Sequence, residues 1–249
     1  MKRFIKDRKG FTLVEMLLSL AIICLIGGVI GGVCVSISNS FVTTYNIDDS
    51  ADYALLYAKG FENSFLDCTQ SDGAKLQTWT WEISNPKGVN GAPLLQVTKP
   101  KTGTENVFTP KFIGNNDTPS KWSVIMFYAV EENAAIGSGT YKTVLVKYRI
   151  YIKDNYSRTD YIYRYDGSFW VPRFYERAKM AGGDAANRKI SVDKSSGSQP
   201  MTAATMQEFC KDPSGVINQK AFDSIKKDLE SNTSESPAQY YTRIKYVWG

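Results

Sequence analysis

The chain has 249 residues, of which 43% are hydrophobic and 22% are charged, so most of it is expected to fold. It contains no histidine, which excludes His-dependent catalytic triads and the common zinc sites. The net charge is +5, but residues 1–10 alone contribute +4, so the rest of the chain is nearly neutral. A global electrostatic argument for nucleic-acid binding therefore fails.

A long uncharged segment follows this basic leader. No charged side chain lies between Met16 and Ile47, and the strongly apolar part runs from Leu17 to Ile37. As a helix these 21 residues would rise about 31 Å, enough to cross a hydrocarbon core of about 30 Å. A cleaved secretory signal is a poor fit, because its apolar region has only about 7–15 residues. The segment predicts a single membrane-spanning helix with its basic end in the cytoplasm.

Glu15 stands at the start of the apolar run, where a plain membrane anchor gives no reason for a carboxylate. The segment KGFTLVEMLLSLAII, with this glutamate, closely resembles the cleavage and methylation site of type IV prepilins and pseudopilins. The resemblance implies that a membrane peptidase cuts after Gly10 and that Phe11 becomes the N-methylated N-terminus. Glu15 then stands at the fifth mature position.

The resemblance also implies a chemistry of assembly. Cutting after Gly10 would leave the Phe11 amine and the Glu15 carboxylate as the only charges of a long apolar helix. Burying either charge alone is expensive, whereas pairing them between neighbouring subunits offsets much of the cost and fixes their axial register. The partners implied are other pilin or pseudopilin subunits, the prepilin peptidase/methyltransferase and membrane lipid. No cofactor is implied.

Four glycines lie within this helix, at Gly27, Gly28, Gly31 and Gly32. They form two overlapping small-xxx-small pairs, which let helix backbones approach closely. Close packing or local melting in a filament core is one interpretation. Ordinary tolerance of glycine in membrane helices is the other, and the sequence favours neither.

The fold predicted is α+β, with a long N-terminal helix packed on an antiparallel β-sheet head and a partly helical C-terminal extension. The parts expected are a cytoplasmic leader (1–10), a transmembrane and assembly helix (11–37), an amphipathic continuation (38–67), a β head (68–176) and a loop-rich extension with a short helix (177–249). The continuation is predicted from apolar residues that step by three and four. They are Ile47, Ala51, Ala54, Leu55, Ala58, Phe61 and Phe65.

Strands are predicted where apolar and polar residues alternate. Trp79–Ile83 and Leu95–Val97 have this pattern, and Trp122–Val130 is apolar on both faces, as a covered strand should be. Residues 141–175 predict a three-stranded meander with turns at Asp154-Asn155 and at Asp166-Gly167.

The C-terminal region gives fewer signals. Apolar spacing over Ile217–Leu229 predicts one short helix. Aromatic residues alternate over Tyr240–Trp248, which predicts either a closing strand or a short helix.

Of the four cysteines, Cys24 and Cys34 lie in the apolar helix and are expected to be small apolar fillers. Cys68 and Cys210 lie in the part expected to be exported, where a disulfide between them is permitted but not required. The chain has no CxxC motif and therefore no strong metal or redox signal.

Other chemistry-bearing patterns are weak. The acidic residues at 48, 49 and 52 and the stretch 115–117 lack EF-hand spacing, so solvated surface is the better interpretation. The tyrosines and arginines interleaved over 148–165 are better explained as filling a half-buried sheet than as a stacking surface for nucleic acid or glycans. No nucleic-acid or small-molecule site is clear.

The function expected is therefore a structural subunit and not an enzyme. The resemblance implies a type IV pilin-like or pseudopilin subunit of a pilus, type II secretion or DNA-uptake machine, with its head exported to the cell surface or periplasm. A large head favours a minor or tip-proximal subunit. The alternative is a single-pass surface protein that does not polymerise and whose head binds a ligand.

Overall fold

The structure of this chain is a computed structural model. It describes residues 12–68, 77–87, 91–100, 103–108, 121–135, 142–155, 162–171, 189–212, 214–231 and 239–248. The chain divides into two compact units, Met1–Tyr45 and Asn46–Gly249. We call the second unit the head.

In the residues that the structure describes, one long helix precedes a series of strands and two shorter helices. The elements in chain order are α1 (Leu13–Cys68), β1 (Gln77–Ser84), β2 (Leu94–Lys99), β3 (Gly103–Phe108), β4 (Trp122–Ala135), β5 (Lys142–Asp154), β6 (Ile162–Trp170), β7 (Lys189–Val192), α2 (Ala203–Phe209), α3 (Gln219–Ser231) and β8 (Arg243–Trp248). This order confirms the predicted α+β class, with its long N-terminal helix, antiparallel strands and partly helical C-terminal region.

The strands form two antiparallel sheets. Sheet A has the order β3-β2-β1-β8-β7, and sheet B has the order β4-β5-β6. The aromatic alternation near residue 248 belongs to a strand and not to a helix, because β8 pairs with β1 on one side and β7 on the other. The region predicted as a loop-rich extension therefore supplies two strands to sheet A in addition to its helices.

The main core of the head lies between α1 and the two sheets. The buried apolar side chains that helix α1 contributes to this core are Ala54, Tyr57, Ala58, Phe61 and Phe65. The predicted apolar stripe is wrong at Leu55, which is 39% exposed. Leu55 lies about 100° around the helix from Ala54, on the edge of the buried face.

Strand β4 is covered on both faces, as the sequence predicts. Val124, Met126 and Tyr128 lie in the main core. The alternate residues, Ile125 and Phe127, belong to a second core with residues of α2 and α3. This arrangement explains why residues 122–129 are all buried and why the strand lacks the usual polar alternation.

The predicted turn at Asp166-Gly167 is wrong. Strand β6 passes straight through both residues, with Asp166 opposite Arg149 and Gly167 opposite Tyr148 in the ladder with β5. The Asp166 carboxylate accepts a hydrogen bond from Arg149 Nε at 2.6 Å. The glycine leaves space for the Tyr148 ring, because a Cβ at position 167 would lie 2.2 Å from Tyr148 Cζ. The meander is formed instead by β4, β5 and β6.

We expect Gly167→Ala to destabilise the head by about 1–3 kcal/mol, because the buried Tyr148 ring must move to admit a methyl group. Its hydroxyl donates to Glu62 Oε1 at 2.6 Å, which restricts that movement. The measurement is the free energy of unfolding by denaturant titration followed by tryptophan fluorescence. Ser168→Ala, at an exposed position in the same strand, is the control. Equal stability of the two variants would contradict the steric argument.

Candidate assembly segment

The first part of α1 exposes a continuous apolar surface. Every residue from Thr12 to Val42 is exposed, and the large apolar side chains range from 47% exposed at Ile22 to 76% at Leu13. The most apolar window of the helix has a mean hydropathy of 2.6, and the helix is long enough to cross a membrane. A helix that is apolar on all sides requires lipid or other protein around it. We call residues 12–45 the assembly segment.

Several hydroxyl side chains of the assembly segment donate hydrogen bonds to carbonyls of their own helix. Ser19 Oγ donates to the Glu15 carbonyl at 2.7 Å, and Ser40 Oγ donates to the Ser36 carbonyl at 3.0 Å. Thr43 and Thr44 make the same bond to the carbonyl four residues earlier. These bonds matter because a polar group in hydrocarbon must find its partner within the protein.

Glu15 is held by a capping box at the start of α1. The Thr12 backbone N–H and the Thr12 hydroxyl both donate to Glu15 Oε2, at 2.9 and 3.0 Å. In return the Glu15 backbone N–H donates to Thr12 Oγ1 at 3.3 Å. This reciprocal arrangement satisfies donors that the first turn of a helix leaves without partners. This capping box was not predicted from the sequence, although the spacing T-x-x-E is its signature.

The capping box gives Glu15 a role inside a single chain. Its carboxylate fixes the first turn of the helix and is held beside residue 12 without a second subunit. Both hydrogen bonds from Thr12 end on Oε2, so Oε1 can accept from a further donor. Glu15 can therefore both cap its own helix and pair with a cation.

The other predicted residues of this segment fall into two groups. Gly10 and Phe11 lie outside the described residues. At each of the four glycines a Cβ would meet no atom within 4 Å. Contacts within the described chain therefore do not require glycine at Gly27, Gly28, Gly31 or Gly32, and both interpretations of these residues stay open.

Cys210 lies in the second core of the head, is 0% exposed and forms no disulfide with a described side chain. Burial raises the pKa of this thiol to about 11, against a smaller opposing effect of Lys153. The side chain of Cys68 lies outside the described residues, so a disulfide with Cys210 stays a prediction.

Two tyrosines and one arginine of the meander lie in the interior of the head. Tyr148 and Tyr151 are buried, and Arg149 is 3% exposed although it carries a charge. Its guanidinium donates a hydrogen bond to the Asp166 carboxylate, and its Cζ lies 5.1 Å from the centroid of the Tyr240 ring. These burials favour the structural interpretation over a stacking surface. Within the described ranges, no three His, Cys, Asp or Glu side chains come together in a way that could hold a metal ion.

Comparison with known proteins gives one match. A family model described as the prokaryotic N-terminal methylation motif matches residues 5–31, which include Gly10, Phe11 and Glu15. No curated protein and no solved structure matches the chain. The motif is the signature of type IV pilins and pseudopilins. Together with the apolar helix, this motif supports the interpretation of the chain as a prepilin-type, type IV pilin-like protein with a membrane anchor and an extracellular head.

Proposed function

We propose that the chain is a structural subunit of a type IV pilin-like or pseudopilin filament, and a minor one. It is inserted in the membrane, cleaved between Gly10 and Phe11, and polymerised through the assembly segment. The observation that carries this proposal is Glu15. It is the one charged side chain from residue 12 to residue 47, and it stands on an otherwise apolar helix.

The position of Glu15 supports pairing between subunits. Cleavage after Gly10 creates a protonated amine one residue before the capping threonine and removes the positive leader. The capping box presents the carboxylate at the same end of the helix, with Oε1 available. In an apolar bundle of such helices, the amine of one subunit and the carboxylate of its neighbour satisfy each other.

The size of the head favours the interpretation of this chain as a minor subunit. It carries two sheets and a second core built by β4, α2 and α3, which is more structure than a filament-forming helix needs. Such a head suits a subunit present in few copies, near a tip or at an initiating complex. The proposed partners are other pilin-like subunits, the prepilin peptidase/methyltransferase and membrane lipid. The head has no proposed catalytic role.

We expect the mature protein to begin at N-methylated Phe11. The basic leader ends in a small residue directly before the apolar helix, which gives a membrane peptidase access to the bond. The measurement is mass spectrometry of the N-terminal peptide of membrane-extracted protein from the native host. Gly10→Trp should block cleavage by crowding the peptidase, whereas Gly10→Ala should retain part of it. An intact leader in a host with an active peptidase would contradict the prediction.

Filament membership is tested separately, by shearing cells and fractionating the released filaments. A processed chain should appear in the sheared fraction together with the other subunits. A processed chain that is found with the membrane alone would favour the alternative, a surface protein that does not polymerise.

A further inference from the structure

The part of α1 that packs in the head repeats its buried face every four residues. This face consists of a row of small or polar residues beside a row of aromatic residues. The small row is Asn46, Ser50, Ala54 and Ala58, and the aromatic row is Tyr53, Tyr57, Phe61 and Phe65. Residues four apart lie on the same side of a helix, about 6 Å apart along its axis. A helix moved by four residues would therefore present a ring where a ring lies now.

Packing of these rows favours the observed register only weakly. If α1 advanced by four residues toward its C-terminal end, Phe61 would take the place of Phe65 at no change in volume. Tyr53 would take the place of Tyr57 and could reproduce its hydrogen bond, which the Tyr57 hydroxyl donates to the Pro93 carbonyl at 2.6 Å. The unfavourable exchange is that of Phe61 for Tyr57, which buries one hydroxyl.

Two hydrogen bonds from the sheets belong to the observed register alone. Trp81 Nε1, in β1, donates to Ser64 Oγ at 2.9 Å. Tyr148 Oη, in β5, donates to Glu62 Oε1 at 2.6 Å. After the shift, a glycine would stand in place of the serine and an alanine in place of the glutamate. Both donors would lose their acceptors, and a buried donor without a partner is costly.

Gly60 adds a steric constraint to the same register. A Cβ at residue 60 would lie 3.3 Å from Phe108 Cβ and 3.7 Å from Leu95 Cδ2, because β3 and β2 approach the helix closely at this point. The shift would place Leu56 there, and its larger side chain would collide with both strands. In the observed register Leu56 is 46% exposed.

We propose that Gly60, Glu62 and Ser64 form a register lock, which holds α1 at one of the two axial positions that its repeating rows can occupy. Without this lock the head would exchange between two positions about 6 Å apart along the helix. Displacement of one packed element past another by one helical turn is a recognised type of conformational switch. The inference concerns the head alone and does not depend on filament assembly.

Disulfide trapping can read the register, because each register brings a different residue of α1 against Phe108. The test uses the full chain in lipid nanodiscs, with its four native cysteines replaced by alanine. Gly60→Cys with Phe108→Cys reports the observed register, since their Cβ positions are close to the spacing that a disulfide requires. Leu56→Cys with Phe108→Cys reports the shifted register. The rate at which each bond forms under mild oxidation is measured by non-reducing peptide mapping.

We expect the Leu56→Cys pair to form at least about tenfold more slowly than the Gly60→Cys pair. Adding Glu62→Ala and Ser64→Ala should accelerate the Leu56→Cys pair about tenfold, because both hydrogen bonds of the lock are then absent. Asn63→Ala, at an exposed position between them, is the control and should change neither rate. The proposal is overturned if the Leu56→Cys pair stays slow in the double variant while the Gly60→Cys pair still forms.

A single substitution keeps the test decisive if the double variant loses the tryptophan fluorescence of the folded head. Ser64→Ala removes one of the two hydrogen bonds, so it should accelerate the Leu56→Cys pair about threefold. No acceleration by Ser64→Ala, or an equal acceleration by Asn63→Ala, would mean that the buried rows themselves fix the register and would overturn the proposal.

Discussion

Glu15→Gln is expected to exclude the chain from filaments while its level in the membrane stays unchanged. The substitution removes the counter-charge of a neighbour's Phe11 amine in an apolar bundle. Losing one partner of a buried ion pair costs about 3–5 kcal/mol, which is about a hundredfold or more in an association constant. In a lone anchor the same change would remove a charge from the edge of the bilayer, so insertion would be unchanged or slightly better.

Glutamine is the informative replacement because it separates the two roles of Glu15. Its side-chain oxygen can accept the bonds that Thr12 donates, so the capping box is retained while the charge is lost. Thr12→Val is the reverse variant, since it removes the hydroxyl of the capping box and keeps the charge. We expect Thr12→Val to reduce incorporation less than Glu15→Gln does.

The measurement is the amount of each variant in sheared filaments relative to the amount in membranes, after co-expression with the other subunits of the native host. Incorporation of Glu15→Gln at the level of the unmodified chain would contradict the pairing argument. A large loss in Thr12→Val with normal incorporation of Glu15→Gln would mean that Glu15 acts through the helix cap alone.

Phe61→Ala is expected to destabilise the head by about 3–5 kcal/mol, the usual effect of removing a buried aromatic ring. Phe61 is 0% exposed. Its ring centroid lies between 5.0 and 6.3 Å from those of Phe65, Trp81, Tyr128, Tyr148 and Phe169. These rings come from α1 and both sheets, so the cavity would open at the point where all three meet.

Leu55→Ala is the matched control for Phe61→Ala. Both residues belong to the apolar pattern of the same helix, but Leu55 is 39% exposed, so its truncation should change stability by no more than about 0.5 kcal/mol. Denaturant unfolding followed by tryptophan fluorescence measures both variants, and Trp81 reports on the cavity directly. Similar losses in both would mean that α1 is buried in the head on a different face.

Much of the fold could be predicted because its longest elements have strong periodic patterns of apolar residues. The long helix has an uncharged apolar run followed by a stripe at helical spacing, and β4 has a run that is apolar on both faces. The elements that the sequence does not predict are short. Helix α2 has only seven residues, of which Met206 and Phe209 are buried, so its apolar pattern is too short to recognise. Strand β3 has only two large apolar residues, Val107 and Phe108, and they do not alternate. Tertiary packing decides such segments, because local propensity alone is too weak.

The error at Asp166-Gly167 has a different cause. The pair has the residue types of a tight turn. Each residue is instead explained by its partner on the adjacent strand β5, since Asp166 lies opposite Arg149 and Gly167 lies opposite Tyr148. A local pattern cannot reveal a partner that lies far along the chain. The capping box at Thr12 and Glu15 is the opposite case, since its local T-x-x-E spacing is visible in the sequence although it was not predicted.

The position of β8 has a consequence for biosynthesis. Its partner β1 begins at residue 77, whereas β8 ends at residue 248, so this pairing of sheet A joins segments that lie far apart in the sequence. A chain emerging N-terminus first cannot complete this sheet until residues 243–248 have crossed the membrane. Until then β1 and β7 each present an unpaired edge to the surroundings. Closure of sheet A is therefore coupled to export of the chain as far as β8.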